Sequence, residues 1–291
     1  MKCIMMRTLR YCILIFIALD LVTRVTRISD FPLYEANNKI GYIPQTNQNG
    51  KFMWTHDWKF NEYHMGAGTF IPSNAEDILL IGDSIVLGGN PLSESERLGP
   101  SLQKKINVAV WPISAGSWGM RNELIYLNSN PDVVKSIDTF IFVWNSGDFG
   151  QASSWSCEIT HPTHTPISSF SYVFQKYIYN FEKCTGEIKP EFLVPNGDWH
   201  DELNAFINSA GMRNKKVIAF LYPDINEEMD ARLMESMLDI HINEIHQAGV
   251  SNVISIGHDS RWGIKYYRDG IHPSGQGNEV LADIISKAMT Q

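Results

Sequence analysis

A serine lies where a predicted buried strand ends in a sharp turn. The strand is the apolar run at residues 78–81, and Gly82-Asp83-Ser84 follows it directly. A short apolar run bounded by a turn signal is typical of a strand that is buried on both faces. Ligands of open α/β sheets bind at the carboxyl ends of the strands. Ser84 is therefore a candidate nucleophile, although a plain turn serine that caps a helix also fits this tripeptide.

A base for this serine is found near the end of the chain. A serine hydroxyl is a weak nucleophile that needs a base, and the base needs a partner that fixes its ring. Asp269 and His272 are three residues apart in a loop that contains Gly270, so one loop could supply both groups. A solvated aspartate beside a helix-capping histidine is the alternative. Together, Ser84, Asp269 and His272 predict a catalytic triad for acyl transfer.

The two motifs resemble those of the SGNH (GDSL) hydrolase family. The Gly-Asp-Ser that ends at Ser84 resembles the nucleophile block, and the Asp-Gly-Ile-His-Pro that begins at Asp269 resembles the last block. The resemblance covers roughly residues 77–291. It implies an α/β fold of the flavodoxin-like, three-layer type with a central parallel sheet. It also implies that Ser84 is the nucleophile, His272 the base and Asp269 the orienting carboxylate.

The same resemblance implies an oxyanion hole after the second and third strands. The family has a glycine after the second strand, for which Gly116 is our first choice and Gly119 the second. The third block of the family is Gly-x-Asn-Asp, whereas this chain has Asn-Ser-Gly-Asp at residues 145–148, with Asn145 at the position of the family's glycine. We predict as donors the backbone N–H groups of Ser84 and Gly116 and the side chain of Asn145. Loss of one donor would cost about 10²–10³ in rate.

Alternating strands and helices predict the scaffold that must position these residues. The predicted strands are residues 78–81, 107–113, 139–144, 216–222 and 252–256, and the predicted helices are residues 96–105, 121–128, 201–210, 226–248 and 277–289. Such alternation predicts a parallel sheet with right-handed crossovers. In the fourth helix Met229, Leu233, Met237 and Ile240 recur at helical spacing, which predicts a stripe that faces the core.

A β-rich preface is predicted before the main domain of residues 76–291. Residues 28–75 are rich in Asn, Gly and aromatic residues. We expect extended segments around a turn at Asn49-Gly50 and a strand at residues 51–60, because Asn-Gly is a strong hairpin signal.

An insertion of residues 149–200 follows the third strand. A connection of this length usually has its own structure or function, and we expect it to overhang Ser84. An aromatic pattern at residues 169–181 predicts a helix in a lid or groove wall. Cys157 and Cys184 bracket the insertion and predict a disulfide if the protein is exported. Their spacing is not that of a zinc site, and we predict no metal.

The first 27 residues form a separate segment. Basic residues precede the apolar stretch at residues 11–22, which only Asp20 interrupts, and Arg24 and Arg27 follow it. This pattern is that of an export signal without a clear cleavage site. An uncleaved signal-anchor, a cleaved signal, and a buried or peripheral helix remain as alternatives. The basic excess before the stretch favours an exported, periplasmic or extracellular, catalytic domain that is anchored in the inner membrane.

Charge and chemistry together narrow the functions. The chain of 291 residues has a formal net charge of −8 and no run of Lys and Arg, which argues against nucleic acid as a main partner. The triad predicts a serine esterase without a metal or organic cofactor, acting on a small ester or on an acylated glycan such as an O-acetylated surface polysaccharide. The alternatives are an O-acyltransferase with the same residues and a non-catalytic subunit for glycan binding or assembly.

Overall fold

The computed structural model describes residues 2–179, 184 and 187–289, and its first element is a long helix. This helix, α1, spans Lys2–Val25. Most of its large apolar side chains are exposed. Within the described part of the chain, no helix combines the length and the apolar character needed to cross a membrane.

Two antiparallel hairpins form the preface. β1 (Tyr34–Asn37) pairs with β2 (Gly41–Pro44), and β3 (Gln48–Phe52) pairs with β4 (His56–Phe60). The predicted turn at Asn49-Gly50 is wrong, because both residues lie inside β3, where the Trp58 ring leaves no room for a Cβ at Gly50. The chain turns instead after Phe52, so residues 51–60 do not form one strand.

The main domain is built on a five-stranded sheet that is parallel throughout. Its strands are β5 (Asp77–Gly82), β6 (Ala109–Ser114), β7 (Thr139–Trp144), β8 (Lys216–Leu221) and β9 (Asn252–Ser255). The strand order is β6-β5-β7-β8-β9, the flavodoxin-like order. The predicted α/β fold and all five predicted strands are therefore confirmed. Val, Ile, Leu and Phe fill the central strands because both faces of the sheet are covered.

Helices cover both faces of this sheet and create two hydrophobic cores. The helices after the preface are α2 (Ser84–Leu87), α3 (Leu98–Ile106), α4 (Met120–Ser129), α5 (Pro131–Ser136), α6 (Ser169–Val173), α7 (Trp199–Ile207), α8 (Ile225–Met229), α9 (Ala231–Met234), α10 (His241–Gln247) and α11 (Gly275–Met289). Along β5, Ile78 and Leu80 enter the core that contains α3 and α11, whereas Leu79 and Ile81 enter the opposite core with α4 and α7. The three-layer arrangement follows from this alternation.

The fourth predicted helix is not continuous. Asp230 has an extended backbone between α8 and α9, and a π-helical turn at Glu235–Asp239 precedes α10. The predicted core stripe is consequently wrong, since Met229, Met237 and Ile240 are exposed. Met234 and Leu238, each one position later than a stripe residue, are buried instead. The break at Asp230 determines how the following helical turns are rotated about their axis. The row that contains Met234 and Leu238 therefore faces the core.

Candidate active site

Ser84 lies at the place where the strand order reverses. The chain leaves β5 toward β6 on one side and later reaches β7 on the other side, and doubly wound folds bind ligands at this point. Asp83 Oδ1 accepts the Ile85 N–H at 2.8 Å and caps α2, which makes Ser84 its first residue. A Cβ at Gly82 would collide with the side chain of Val86. The turn thus brings the Ser84 side chain to the carboxyl edge of the sheet.

Ser84, His272 and Asp269 form a line of hydrogen bonds. Ser84 Oγ lies 2.9 Å from His272 Nε2, and His272 Nδ1 lies 2.9 and 3.0 Å from the two carboxylate oxygens of Asp269. Because a carboxylate only accepts, Nδ1 carries the imidazole proton, and Nε2 is free to accept the Ser84 hydroxyl. This arrangement can transfer a proton from Ser84 to His272.

The loop around Asp269 fixes this carboxylate in its ionised form. Asp269 Oδ1 accepts the backbone N–H groups of Ile271 and His272 at 3.1 and 2.9 Å. Partial burial raises the pKa of Asp269, but these N–H groups and the nearby His272 lower it more, so that the pKa lies below its ordinary value. An ionised Asp269 can stabilise a positive charge on His272.

Asn145 lies beside Ser84, but its amide is already engaged. Its Nδ2 lies 3.2 Å from Asp83 Oδ2 and 3.0 Å from Asp148 Oδ2, and its Oδ1 accepts the Gly147 N–H at 2.8 Å. An amide nitrogen has two hydrogens, and each has a carboxylate acceptor here. In this conformation Asn145 connects the turns that follow β5 and β7 and directs no free N–H toward an oxyanion.

The stretch after β6 contains a tight turn that the sequence did not predict in detail. The Trp118 N–H donates to the Ala115 carbonyl at 3.3 Å, with Gly116 and Ser117 between them. Ser117 has a φ of +60°, in the left-handed region that L-residues other than Asn and Asp rarely adopt. The Gly119 N–H donates to a side-chain oxygen in α4, the Oδ1 of Asn122, at 3.1 Å.

The two predicted glycines occupy different places relative to Ser84. A cavity of about 370 Å³ opens beside Ser84 and His272. Ser117 and Gly119 line it, whereas Gly116 does not. The other lining residues are Asp83, Trp118, Asn145, Gly147, Asp148, Gln151, Ser153 and Ile271.

Three buried carboxyl groups lie at the cavity, a grouping that was not predicted from the sequence: Asp83 and Asp148 line it, and Glu123 does not. Burial raises the pKa of Asp83, against hydrogen bonds from Ile85 and the nearby His272. Burial, together with the other carboxylates, also raises the pKa values of Glu123 and Asp148 well above their ordinary values. Glu123 Oε2 accepts the Trp144 Nε1–H at 2.7 Å, while Oε1 has no partner among the described residues. A charged residue on the apolar face of α4 was the available signal for Glu123.

The preface and the insertion meet beside the turn at Gly116. The Tyr34 N–H donates to the Pro162 carbonyl at 2.8 Å, and the ring of His161 stacks on that of Tyr42 with centroids 3.8 Å apart. Both Tyr42 Oη and His161 Nε2 contact the Gly116 carbonyl oxygen, at 2.8 and 3.2 Å. The residues of the insertion that line the cavity come from its start, Gln151 and Ser153.

The structure joins Cys157 and Cys184, the pair proposed from the sequence, in a disulfide. The predicted aromatic helix begins as α6 and continues as a π-helical turn at Phe174–Ile178, while residues 180 and 181 lie outside the described residues. This helix packs on α1 and is not part of the cavity wall.

The contacts of Asp20 explain why a charged residue lies inside the apolar N-terminal stretch. Its Oδ1 accepts the Ser168 hydroxyl at 2.9 Å and the Phe170 N–H at 3.0 Å, at the start of α6. Its Oδ2 binds Arg24 at 2.8 Å. Asp20 is therefore a contact between α1 and the insertion.

Comparison with known proteins gives structural matches alone. No family model and no curated protein matches the chain. Among solved structures, TesA has 13% identity over 74% of this chain and 98% of its own, with a TM-score of 0.44. A member of the lipolytic G-D-S-L family from Veillonella parvula has 13% identity over 75% of this chain and 100% of its own, with a TM-score of 0.43. An acetyl xylan esterase from the rumen bacterium Butyrivibrio proteoclasticus has 14% identity over 75% of this chain and 64% of its own, with a TM-score of 0.41.

Proposed function

We propose that this protein is a serine hydrolase that cleaves small acyl esters through Ser84. The observation that carries the proposal is the pair of 2.9 Å contacts that connects Ser84 Oγ with His272 and His272 with Asp269. His272 takes the Ser84 proton while Oγ attacks the ester carbonyl, and Asp269 stabilises the imidazolium. His272 then gives the proton to the leaving alcohol. Water attacks the acyl-enzyme in the same way and releases the acid.

The cavity supports a short acyl group and a polar alcohol. Its volume of about 370 Å³ lies at the small end of ligand pockets. Serine, glycine and amide groups make up most of its wall, and Ile271 and Trp118 are the apolar side chains that line it. A long acyl chain would find little apolar surface there. An O-acetyl ester of a carbohydrate, as on a surface polysaccharide, fits this lining and is the substrate class that we propose.

The proposal includes a membrane location for α1. Its apolar side chains are exposed, and basic residues flank the apolar stretch on both sides. Burial of these side chains in a bilayer would remove them from water. The basic residues before the stretch would then place the hydrolase domain on the exported side of the membrane. An active phosphatase fused to the C-terminus in a bacterial host is the expected result. An inactive phosphatase together with a fluorescent cytoplasmic reporter at the same position would contradict this location.

Covalent labelling of the serine tests the chemistry. A fluorophosphonate probe should label the wild-type protein, and the label should disappear in Ser84→Ala and in His272→Ala. Ser136→Ala is the matched control, because this half-buried serine of α5 is not among the residues that line the cavity and donates to a backbone carbonyl, that of Asp132. An unlabelled but folded wild-type protein would refute the hydrolase and leave the non-catalytic subunit.

The products decide between the hydrolase and the O-acyltransferase. Enzyme that has not been treated with the probe is incubated with p-nitrophenyl acetate, with and without an oligosaccharide acceptor. Acetate as the product in both reactions supports the hydrolase. Quantitative transfer of the acetyl group to the sugar would reassign the protein as a transferase with the same three residues.

A further inference from the structure

The central peptide of the turn at Gly116-Ser117 has an unusual orientation. Two orientations of such a peptide differ by about half a rotation, and they give the second central residue either a negative or a positive φ. Serine favours the negative φ, yet Ser117 has a φ of +60°. Some other interaction must therefore hold this peptide in the less favourable orientation.

Two side chains from outside the turn supply that interaction. Tyr42 Oη donates to the Gly116 carbonyl at 2.8 Å, and His161 Nε2 lies 3.2 Å from the same oxygen. Because a carbonyl oxygen only accepts, Nε2 carries the proton of the imidazole. Tyr42 is buried, and the two rings stack on each other, so each ring restricts the position of the other.

Ser117, on the other side of the same peptide, lines the catalytic cavity. The peptide is trans, so the Ser117 N–H points away from the Gly116 carbonyl, and hence away from Tyr42 and His161. Ser117 lines the cavity beside Ser84, and its N–H has no acceptor among the described residues. A backbone N–H in this position is suited to bind the oxyanion of a tetrahedral intermediate.

We infer that Tyr42 and His161 are positioning residues that hold the Ser117 N–H as an oxyanion donor. The inference rests on the proposed hydrolase function. It assigns a role to the preface and the insertion, which contribute one side chain each. The donor after β6 is then Ser117, and not Gly116 as predicted from the sequence. A backbone donor at Ser117 also agrees with the observation that the Asn145 amide is already bonded to two carboxylates.

Substitution of Tyr42 by Phe removes one of the two hydrogen bonds and keeps the ring. Loss of a whole oxyanion donor lowers kcat by about 10²–10³. A donor that is present but held less firmly should therefore lower kcat by about tenfold. We expect this fall in kcat for p-nitrophenyl acetate with an unchanged KM, because the ground-state ester does not use the donor. His161→Phe, which keeps the stacked ring, should give the same pattern and serves if Tyr42→Phe does not fold.

Tyr126→Phe is the matched control. Tyr126 is equally buried, and its hydroxyl donates to a preface carbonyl, that of Tyr63, at 2.8 Å. The Tyr126 contact lies outside the cavity. Tyr42→Phe and Tyr126→Phe should lower the thermal midpoint to a similar extent, but kcat should fall in Tyr42→Phe alone. An equal loss of kcat in both variants would overturn the inference.

A second substitution at Ser117 separates positioning from general stability. Glycine accepts a positive φ without a steric cost, so Ser117→Gly removes the reason for the peptide to rotate. Tyr42→Phe combined with Ser117→Gly should therefore recover kcat to within about threefold of Ser117→Gly alone. No recovery in the double variant would overturn the inference while the hydrolase function stands. An inactive wild-type protein would instead refute the hydrolase and, with it, this inference.

Discussion

Mild acid should destabilise the folded protein through His161. Burial lowers the pKa of this imidazole from the ordinary value of 6.5 to about 4, the nearby Lys176 acts in the same direction, and the hydrogen bond to Gly116 opposes both. Above pH 6.5 the ring is neutral in the folded and the unfolded chain. Between 6.5 and about 4 the unfolded chain binds a proton that the folded protein does not bind. Stability is therefore present above this range and is lost as the pH falls through it.

The size of this effect follows from the two pKa values. Each pH unit between them corresponds to about 1.4 kcal/mol. The interval from 6.5 to about 4 thus amounts to about 3 kcal/mol of unfolding free energy. Domains commonly have a total of about 5–15 kcal/mol, so the loss is easily measured.

Denaturant unfolding of the wild-type protein and of His161→Phe, at about pH 7.5 and about pH 4.5, measures this term. The variant lacks the titrating ring, whereas all other histidines and carboxyls are common to both proteins. We expect the wild-type protein to lose about 2–3 kcal/mol more than the variant on acidification. Equal losses in the two proteins would show that His161 titrates normally and would refute the argument from burial.

Three further substitutions test other parts of the site. Asn145→Ala should lower the unfolding free energy by about 1–3 kcal/mol, because Asp83 and Asp148 lose a donor, and should lower kcat by less than about tenfold; a loss of 10²–10³ in kcat at an unchanged thermal midpoint would instead identify Asn145 as an oxyanion donor. Glu123→Gln should raise the unfolding free energy at alkaline pH, because burial raises the pKa of Glu123 and the folded protein must hold an ionised, buried carboxylate at high pH that the amide avoids; parallel profiles of unfolding free energy against pH for the two proteins would be inconsistent with this. Replacement of Cys157 and Cys184 by Ser should cost about 3 kcal/mol, because the disulfide closes a loop of 27 residues; calorimetry of unreduced protein checks this, and an unchanged midpoint speaks against it.

Local sequence signals were sufficient for the strands and for the three residues of the hydrogen-bonded line. Each of the five strands is a short apolar run with a turn signal nearby, and Ser84 directly follows one of them. Asp269 and His272 share one loop, so their mutual geometry depends on few residues. The strands and the Asp269–His272 pair were predictable because they arise within segments of a few residues. The contact of Ser84 with His272, 188 residues away, was predicted from the resemblance of their two motifs to a known family.

Features that depend on distant contacts were not predictable. The φ of Ser117 is set by two residues that contact the Gly116 carbonyl from far along the chain. Tyr42 lies 74 residues and His161 lies 45 residues from Gly116. The amide of Asn145 is oriented by carboxyls on two different turns, one of them at Asp83. The methionine stripe was misplaced because the sequence contains two adjacent apolar rows. The break at Asp230, not the periodicity, selects the row that is buried.

The contact of Asp20 with the start of α6 limits how the protein can be shortened. Removal of the apolar N-terminal helix is an obvious step for expression in water. A chain that began after Arg27 would lack the acceptor for Phe170 N–H and for the Ser168 hydroxyl. It would also lack the ring of Phe16, which packs edge-on against Phe170 at 5.7 Å. If the protein is exported as proposed, proteolytic removal of this helix would take the same contacts away from the insertion.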